Sequence, residues 1–302
     1  MQIIEAFSGS EFAAHFWPGV ASTLIIALLG GSLSWLVVVK RLSFIGQGVS
    51  HSAFGGVGLA LILGLSGATL AGGLSTMGVV LAFSLLAAFG MAILSGARSS
   101  HADTAIGIVL SVSMAIGFLL YHLAEIRAQE SGLSPPPELE EILFGSITLI
   151  SVVDFWVALG TAIAVIGVLW VQRHRILFWM FDEAAAPAFG VPVMRIRLLV
   201  MTLLTLVVVV TMKLAGIVLV SAVLVLPGAI ALQLTNRLTR AVALSIGASI
   251  TASLLGLVVA FKFSVLPGPT IVLMLGVFYL AAWTPRWLRK KVRSQPSAEI
   301  NP

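Results

Sequence analysis

Cysteine is absent from the 302 residues, which excludes disulfides, thiolate zinc sites and cysteine-held iron–sulfur clusters. Charge is scarce too. Asp, Glu, Lys and Arg make up 10% of the chain against 59% hydrophobic residues, too little to keep a soluble domain of this length in solution. From Leu42 to Ala97, 56 residues pass without one Lys, Arg, Asp or Glu, enough for two membrane crossings. Enzyme signatures are missing as well: there is no Gly-Lys dipeptide, hence no Walker A phosphate loop, and no HExxH or GxSxG. The composition predicts an all-α polytopic membrane protein that is not an enzyme, and any ATP-driven step would need a separate subunit. Glu5 and Glu11 stand where a basic signal-peptide n-region would be, so the first apolar run is expected to be retained.

What is present is a series of uncharged runs bounded by charges, at roughly 17–39, 42–64, 69–95, 103–123, 151–171, 197–212, 215–235, 240–261 and 268–285. Most are close to the length that spans about 30 Å of hydrocarbon. Nine crossings with the N-terminus outside place 14 of the 17 basic residues in cytoplasmic segments, leaving Arg127, Lys213 and Lys262 outside. That distribution follows the positive-inside rule, and it accounts for the net charge of +5 without nucleic acid as a partner; the partner of the apolar surface is membrane lipid. Two crossings are needed between 198 and 236, with the turn near Lys213-Leu214-Ala215-Gly216. Eight crossings with one re-entrant segment is the alternative, since Gly and Pro interrupt several spans and broken helices survive where they line a cavity. The expected organisation is a short extracytoplasmic N-terminus over 1–16, one transmembrane domain over 17–285, and a basic cytoplasmic tail over 286–302.

Two polar segments stand out. The outward one, Glu125 to Glu141, predicts an acidic loop stiffened by Pro135-Pro136-Pro137 and followed by a short helix. The inward one, Arg173 to Arg197, contains Asp182-Glu183-Ala184-Ala185-Ala186-Pro187-Ala188-Phe189-Gly190. Its leading acids and alanines predict a short capped helix ending near Gly190-Val191-Pro192, a natural docking element.

Within the longest uncharged run, Ser43, Gln47 and His51 fall on one helical face, while Gly48, Ser52 and Gly55/Gly56 form a neighbouring stripe of small residues. The first face is polar and the second allows a close helix approach. At about 1.5 Å per residue from Arg41, His51 lies about 15 Å into the membrane. It is either a packing histidine bonded to neighbouring backbone or a contact for a permeating solute, a metal ion being suited to neutral imidazole. His122 and Glu125, three apart at the outer end of a span, suit either a metal access point or an exposed rim. Asp103 reads as a helix cap beside His101, His15 and His174 as interfacial, and Lys213 as snorkelling or capping carbonyls. Pro227 and Pro267 are expected to kink or end helices.

The stretch Arg41-Leu42-Ser43-Phe44-Ile45-Gly46-Gln47-Gly48-Val49-Ser50-His51-Ser52-Ala53 resembles the second span of the manganese/zinc/iron permeases of ABC transporters. So do Ala102 to Ile108, Leu143-Phe144-Gly145-Ser146, Asp182 through Gly190, Met212-Lys213-Leu214-Ala215-Gly216, Leu226-Pro227-Gly228 and Pro267-Gly268-Pro269-Thr270, in order across roughly 17–285. The resemblance implies a type II-like ABC importer permease in a bacterial plasma membrane. It would have no intrinsic cofactor, and manganese, zinc or iron would be the cargo. Its partners would be a cytoplasmic ATPase, an extracytoplasmic metal-binding protein and a second permease copy, identical or a close paralogue. It implies that Asp182, Glu183, Ala186 and Gly190 belong to an ATPase-coupling segment within 173–197. It also implies a metal path over His51 and Gln47, with His122 and Glu125 at its outer access. The family pattern reads Asp-x-x-x-His in this span, and here Gln47 stands at the Asp position, a neutral amide where a carboxylate would attract and partly desolvate a cation.

Other classes remain open from sequence. A larger metal chelate such as a siderophore or corrinoid would need a wide apolar cavity, and a proton-coupled secondary transporter would need ionisable residues within the spans, where only Asp154 qualifies. A membrane scaffold would tolerate leucine at Gln47 and His51.

Overall fold

Long apolar stretches leave backbone N–H and C=O groups no partner in lipid except those of their own helix, and the structure, a computed structural model, is helical accordingly. It describes residues 10–65, 70–96, 102–132, 135–145 and 152–293. The elements are α1 (Ser10–Val39), α2 (Ser43–Ile62), α3 (Leu70–Gly96), α4 (Ala102–Ser131), α5 (Leu139–Phe144), α6 (Val152–Val171), α7 (Arg173–Phe181), a 3-10 turn (Ala186–Phe189), α8 (Val193–Leu234), α9 (Leu238–Phe263) and α10 (Pro267–Arg293). No strand occurs among the described residues.

Seven of these helices are long and apolar enough to cross a membrane. One of them, α8, has 42 residues and would be about 63 Å long if straight, twice the hydrocarbon thickness. It is not straight. Gly216, with φ 77° and ψ 165°, breaks it. A straight helix would hold Arg197 and Gly228 about 46 Å apart. Instead both reach the last turns of α1: Arg197 bonds Glu183, which bonds Lys40, and the Gly228 N–H donates to Ser34 Oγ at 2.7 Å. The chain therefore turns back at Gly216, and the turn expected near 213–216 is present. Counting the two legs of α8 separately and adding the 20-residue α2, nine helical segments among the described residues are long enough to cross, the higher of the two numbers expected.

Short connections are closed by left-handed residues. After α1, Arg41 has φ 57°, the Leu42 N–H reaches Val37 O at 2.8 Å and the Arg41 N–H reaches Val38 O at 3.1 Å. This is a Schellman closure with arginine where glycine is usual. Gly64 closes α2 the same way, through Leu65 N–H to Ala60 O at 3.1 Å.

The core is built around α8. Val200, Leu204, Val207, Val208 and Ile217 pack with Leu29, Leu33 and Leu36 of α1 and Val49 and Phe54 of α2. A second cluster joins α8 to α9 and α10 through Leu219, Val223, Leu257 and Ile271. Trp156, Ile163 and Trp170 of α6 and Leu273, Val277 and Leu280 of α10 are exposed, a surface suited to lipid.

Several expectations need correction. Helix α4 runs to Ser131, so Glu125 and Glu130 sit on a helix rather than in a loop, because nothing before Gly132, at φ 63°, stops it. The short helix after the prolines is α5. No α-helix forms over 182–190: α7 ends at Phe181, and Pro187, at the start of the following turn, admits only a single 3-10 turn before Gly190 at φ 74°. Pro267 opens α10 instead of ending a helix, because its fixed φ suits a first helical position and its missing N–H costs nothing there. His101 lies outside the described residues, as do the side chains of His15 and Asp103.

Candidate functional site

Helix α2 has two unlike faces. Its small stripe is driven into the groove between α3 and α4. A Cβ on Gly48 would lie 2.7 Å from Met91 Sδ, on Gly55 2.9 Å from Ser113 O, on Gly56 2.8 Å from Val80 Cα and on Gly58 2.8 Å from Gly117 O. These distances leave room for hydrogen alone, so the helices approach nearly backbone to backbone, as membrane helices with small residues do. Ser52 donates to Gly48 O at 2.7 Å and meets Ser113 Oγ at 3.2 Å, which satisfies its hydroxyl inside the contact.

The polar stripe beside it is only partly covered by the described residues. Phe44 is 60% exposed, Gln47 is exposed and His51 is half-buried. Gln47 lies one turn and His51 two turns into the helix from Ser43, and i, i+4 spacing stacks them on a single stripe. The Nδ1 of His51 is buried with no hydrogen-bond partner, so the backbone bond that a packing histidine would form is not made at that atom. Among the described residues no three His, Cys, Asp or Glu side chains gather into a metal-sized cluster. The stripe therefore offers an amide and an imidazole from this chain, and further donors would have to come from elsewhere.

His122 and Glu125 lie together at the far end of α4, Nδ1 to Oε2 3.6 Å, both substantially exposed. Ser52 meets Ser113 and Gly58 packs on Gly117, so the pair lies about 15 Å beyond His51 along the bundle. The same end is tied down by Tyr121, whose hydroxyl donates to Pro137 O at 2.7 Å, and by Arg127, which donates to Ile62 O at 3.1 Å.

At the opposite, basic end, Asp182 behaves as a cap: the Ala185 N–H donates to its Oδ1 at 2.9 Å. Glu183 does not face solvent partners. Lys40 Nζ donates to its Oε2 at 2.7 Å, and Arg197 pairs with its Oε1. Burial pushes the Glu183 carboxyl up, but the hydrogen bonds and charges of Lys40 and Arg197 outweigh it and hold the group below its ordinary 4.5. Lys40 Nζ also sits over the Trp179 ring, 4.3 Å from its centroid. Ala186 is fully buried, and Gly190 supplies the left-handed turn that closes the segment. Phe181 and Phe189 point outward, 69% and 70% exposed, with Phe189 stacked 4.9 Å from Phe178.

Sequence reasoning did not find Lys40 and Arg197 as partners of Glu183, nor the exposed Phe44 beside Gln47. One signal was available: Glu183 is a rare carboxylate among the excess of cations at that end. Lys213 was also read differently, and it forms an ion pair with Asp154 of α6.

Three glycines far apart in sequence meet at the end opposite the basic one. A Cβ on Gly145 would lie 2.4 Å from the Ala215 carbonyl carbon, on Gly216 2.4 Å from Leu143 O, and on Gly268 2.8 Å from Phe144 O. The segments 143–145, 212–216 and 267–270, singled out separately in the sequence, thus share one backbone junction; Ser146 lies outside the described residues.

Comparison with known proteins places these features in context. Residues 14–285 match the family described as the ABC 3 transport family. The chain is 30% identical over 96% of its length and all of the relative to "Manganese import system permease protein ScaB" of Streptococcus gordonii. It is 28% identical over 87% of both chains to "Manganese transport system membrane protein MntC" of Listeria innocua. Among solved structures, PsaBC from Streptococcus pneumoniae in complex with Fab superposes with a TM-score of 0.78 at 29% identity, covering 96% of this chain and 99% of the other.

Proposed function

Because the chain belongs to the ABC 3 transport family, we propose that it is the membrane-spanning permease subunit of an ABC importer for a divalent transition metal, with manganese the first candidate and zinc or iron next. The observation that carries the reading is α2: one stripe is glycine packed against α3 and α4, while the neighbouring stripe carries an exposed Gln47 and a half-buried His51 whose Nδ1 has no hydrogen-bond partner. A polar stripe two turns inside a membrane helix is costly unless something polar passes it. Relatives named for manganese support the choice of metal.

In this reading the basic end is cytoplasmic by the positive-inside rule, and the N-terminus lies outside in a bacterial plasma membrane. A second copy, identical or a close paralogue, supplies further donors across a shared axis. An extracytoplasmic binding protein delivers the ion to the end carrying His122 and Glu125, whose carboxylate raises the local cation concentration. A cytoplasmic ATPase docks on the segment 173–197, where Phe181 and Phe189 offer exposed aromatic anchors. Asp182 and Gly190 shape that segment, Ala186 roots it in the core, and Glu183 ties it to the bundle.

The test is co-expression with the ATPase and binding protein in a metal-starved host, measuring cellular manganese, iron, zinc and cobalt for wild type and His51→Ala at matched membrane levels. Accumulation of one metal that the variant loses supports the reading. Accumulation that the variant leaves intact returns His51 to packing, and no accumulation of any metal shifts the substrate to a chelate.

A further inference from the structure

At the basic end, a single carboxylate holds three parts of the fold together. Glu183 belongs to the segment between α7 and α8, Lys40 to the three-residue turn between α1 and α2, and Arg197 to the first turns of α8. The Lys40 bond is 2.7 Å, and the side chains of Lys40 and Arg197 are 14% and 22% exposed. Lys40 is gripped on its other side by Trp179, itself 2% exposed. The turn it sits in is stiff, since Arg41 is held left-handed by a double backbone closure. Three residues after Lys40, α2 begins, and Gln47 follows one turn later.

We propose that Glu183 is a positioning residue: it makes the ATPase-facing segment and the start of α2 move as one body, so that displacement of Phe181 and Phe189 reaches Gln47 and His51 through Lys40. The proposal rests on the permease reading and assigns to Glu183 a contact within this chain in place of one with the ATPase. The choice of an ion triad supports it. A partly exposed carboxylate between two cations adds little stability, and apolar residues of the same size would pack as well. What charge supplies here is direction and length: two bonds that resist both pulling and sliding, one fixed to the α1–α2 turn and one to α8. Leverage is short, since Lys40 and Gln47 are about 10 Å apart along the chain axis.

The chain has no cysteine, so one cysteine introduced at Phe44 becomes a clean reporter of α2. The full complex with its ATPase and binding protein is reconstituted in proteoliposomes, and the rate of thiol labelling at Phe44→Cys is compared without nucleotide and with ATP trapped by vanadate. Labelling is expected to change about fivefold on trapping in the otherwise wild-type chain. In Glu183→Gln and in Lys40→Met the change is expected to fall to less than about twofold, with no further loss when the two are combined. ATPase co-purification and basal hydrolysis are expected to persist, and Arg41→Asn, which removes a neighbouring charge and suits the left-handed backbone, is expected to respond as wild type.

A nucleotide response that survives Glu183→Gln overturns the proposal, as does the absence of any response in the wild-type background. Loss of ATPase co-purification in Glu183→Gln alone, with Lys40→Met unaffected, also overturns it, because the carboxylate would then be an ATPase contact. Because labelling needs no transported ion, a failure of the metal reading appears separately, as absent accumulation with the labelling response intact.

Discussion

The backbone N–H of Gly228 donates to the hydroxyl of Ser34, 194 positions earlier, at 2.7 Å. The reason lies one residue back. Pro227 crowds the turn before it, which loosens the intrahelical bond of the N–H that follows, and inside a membrane that donor needs an acceptor from outside. Ser34 does this from α1, and the absent side chain of Gly228 is what lets it come close: a Cβ there would stand 2.5 Å from the Ser34 carbonyl carbon.

Ser34→Ala is therefore expected to destabilise the chain by about 1–3 kcal/mol, the cost of an orphaned buried donor. Gly228→Ala is expected to cost more than Ser34→Ala, because the added methyl meets backbone that cannot rotate away. Thermal unfolding of the detergent-solubilised chain would measure both, and an equal loss would mean that the close approach has slack.

Two left-handed glycines make a matched pair. Gly64, at φ 70°, has nothing within 4 Å of its would-be Cβ, whereas Gly216, at φ 77°, would drive one to 2.4 Å from Leu143 O. Gly64→Ala is expected to cost about 1–2 kcal/mol, the price of the backbone conformation alone. Gly216→Ala adds the collision to a backbone conformation, φ 77° and ψ 165°, open essentially to glycine alone, and is expected to cut the folded yield in membranes by about tenfold or more, as a loss of several kcal/mol would. Comparing folded yields by fluorescence-detected size exclusion separates the two effects.

Glu183 sets a pH dependence whose sign is fixed by its partners. Its carboxyl is held below the ordinary 4.5, so the stability it contributes is fully present above that value and is lost as pH falls through the lower, folded-state value. The melting-temperature gap between wild type and Glu183→Gln is expected to be constant from pH 7 to about 5 and to close below about 4. A gap that widens on acidification would mean that the carboxyl is raised instead.

Gln47→Asp places a charge on the polar stripe of α2. It is expected to increase apparent affinity for manganese by about threefold to tenfold relative to zinc, since carboxylate oxygen favours the harder ion. Uptake of the two metals in competition reads this directly. Unchanged rate and preference would mean that Gln47 stands outside the ion's path and that carboxylates such as Glu125 do not compensate for it.

Most of the helical scaffold could be read from the sequence because lipid demands uncharged length and charged residues bound each run. The turn near Gly216 was legible from the positive-inside rule: a single crossing from 198 to 236 would have put the basic tail on the wrong side. The two faces of α2 followed from i, i+4 spacing and glycine placement. The Lys40–Glu183–Arg197 triad did not, because ion pairs between residues 143 and 14 positions apart depend on which helices become neighbours, and composition carries no record of that. The 182–190 segment was misread because alanine content favours a helix locally, while Pro187 and Gly190 leave room for one 3-10 turn.

The junction of Gly145, Gly216 and Gly268 also constrains the order in which the molecule can be completed. A chain is made from its N-terminus at a limited rate, and 71 residues separate the first two glycines and 52 the next two. The residues of the hairpin at Gly216 and of α5 are therefore made before Pro267 and Gly268. Helix α10 then sets its first turn on that junction and lies against α8 and α9, with Leu273, Val277 and Leu280 outward. Truncation before α10 would accordingly bare the apolar side of α8 and α9 around Leu219, Val223 and Leu257 and leave Gly145 and Gly216 without their third neighbour.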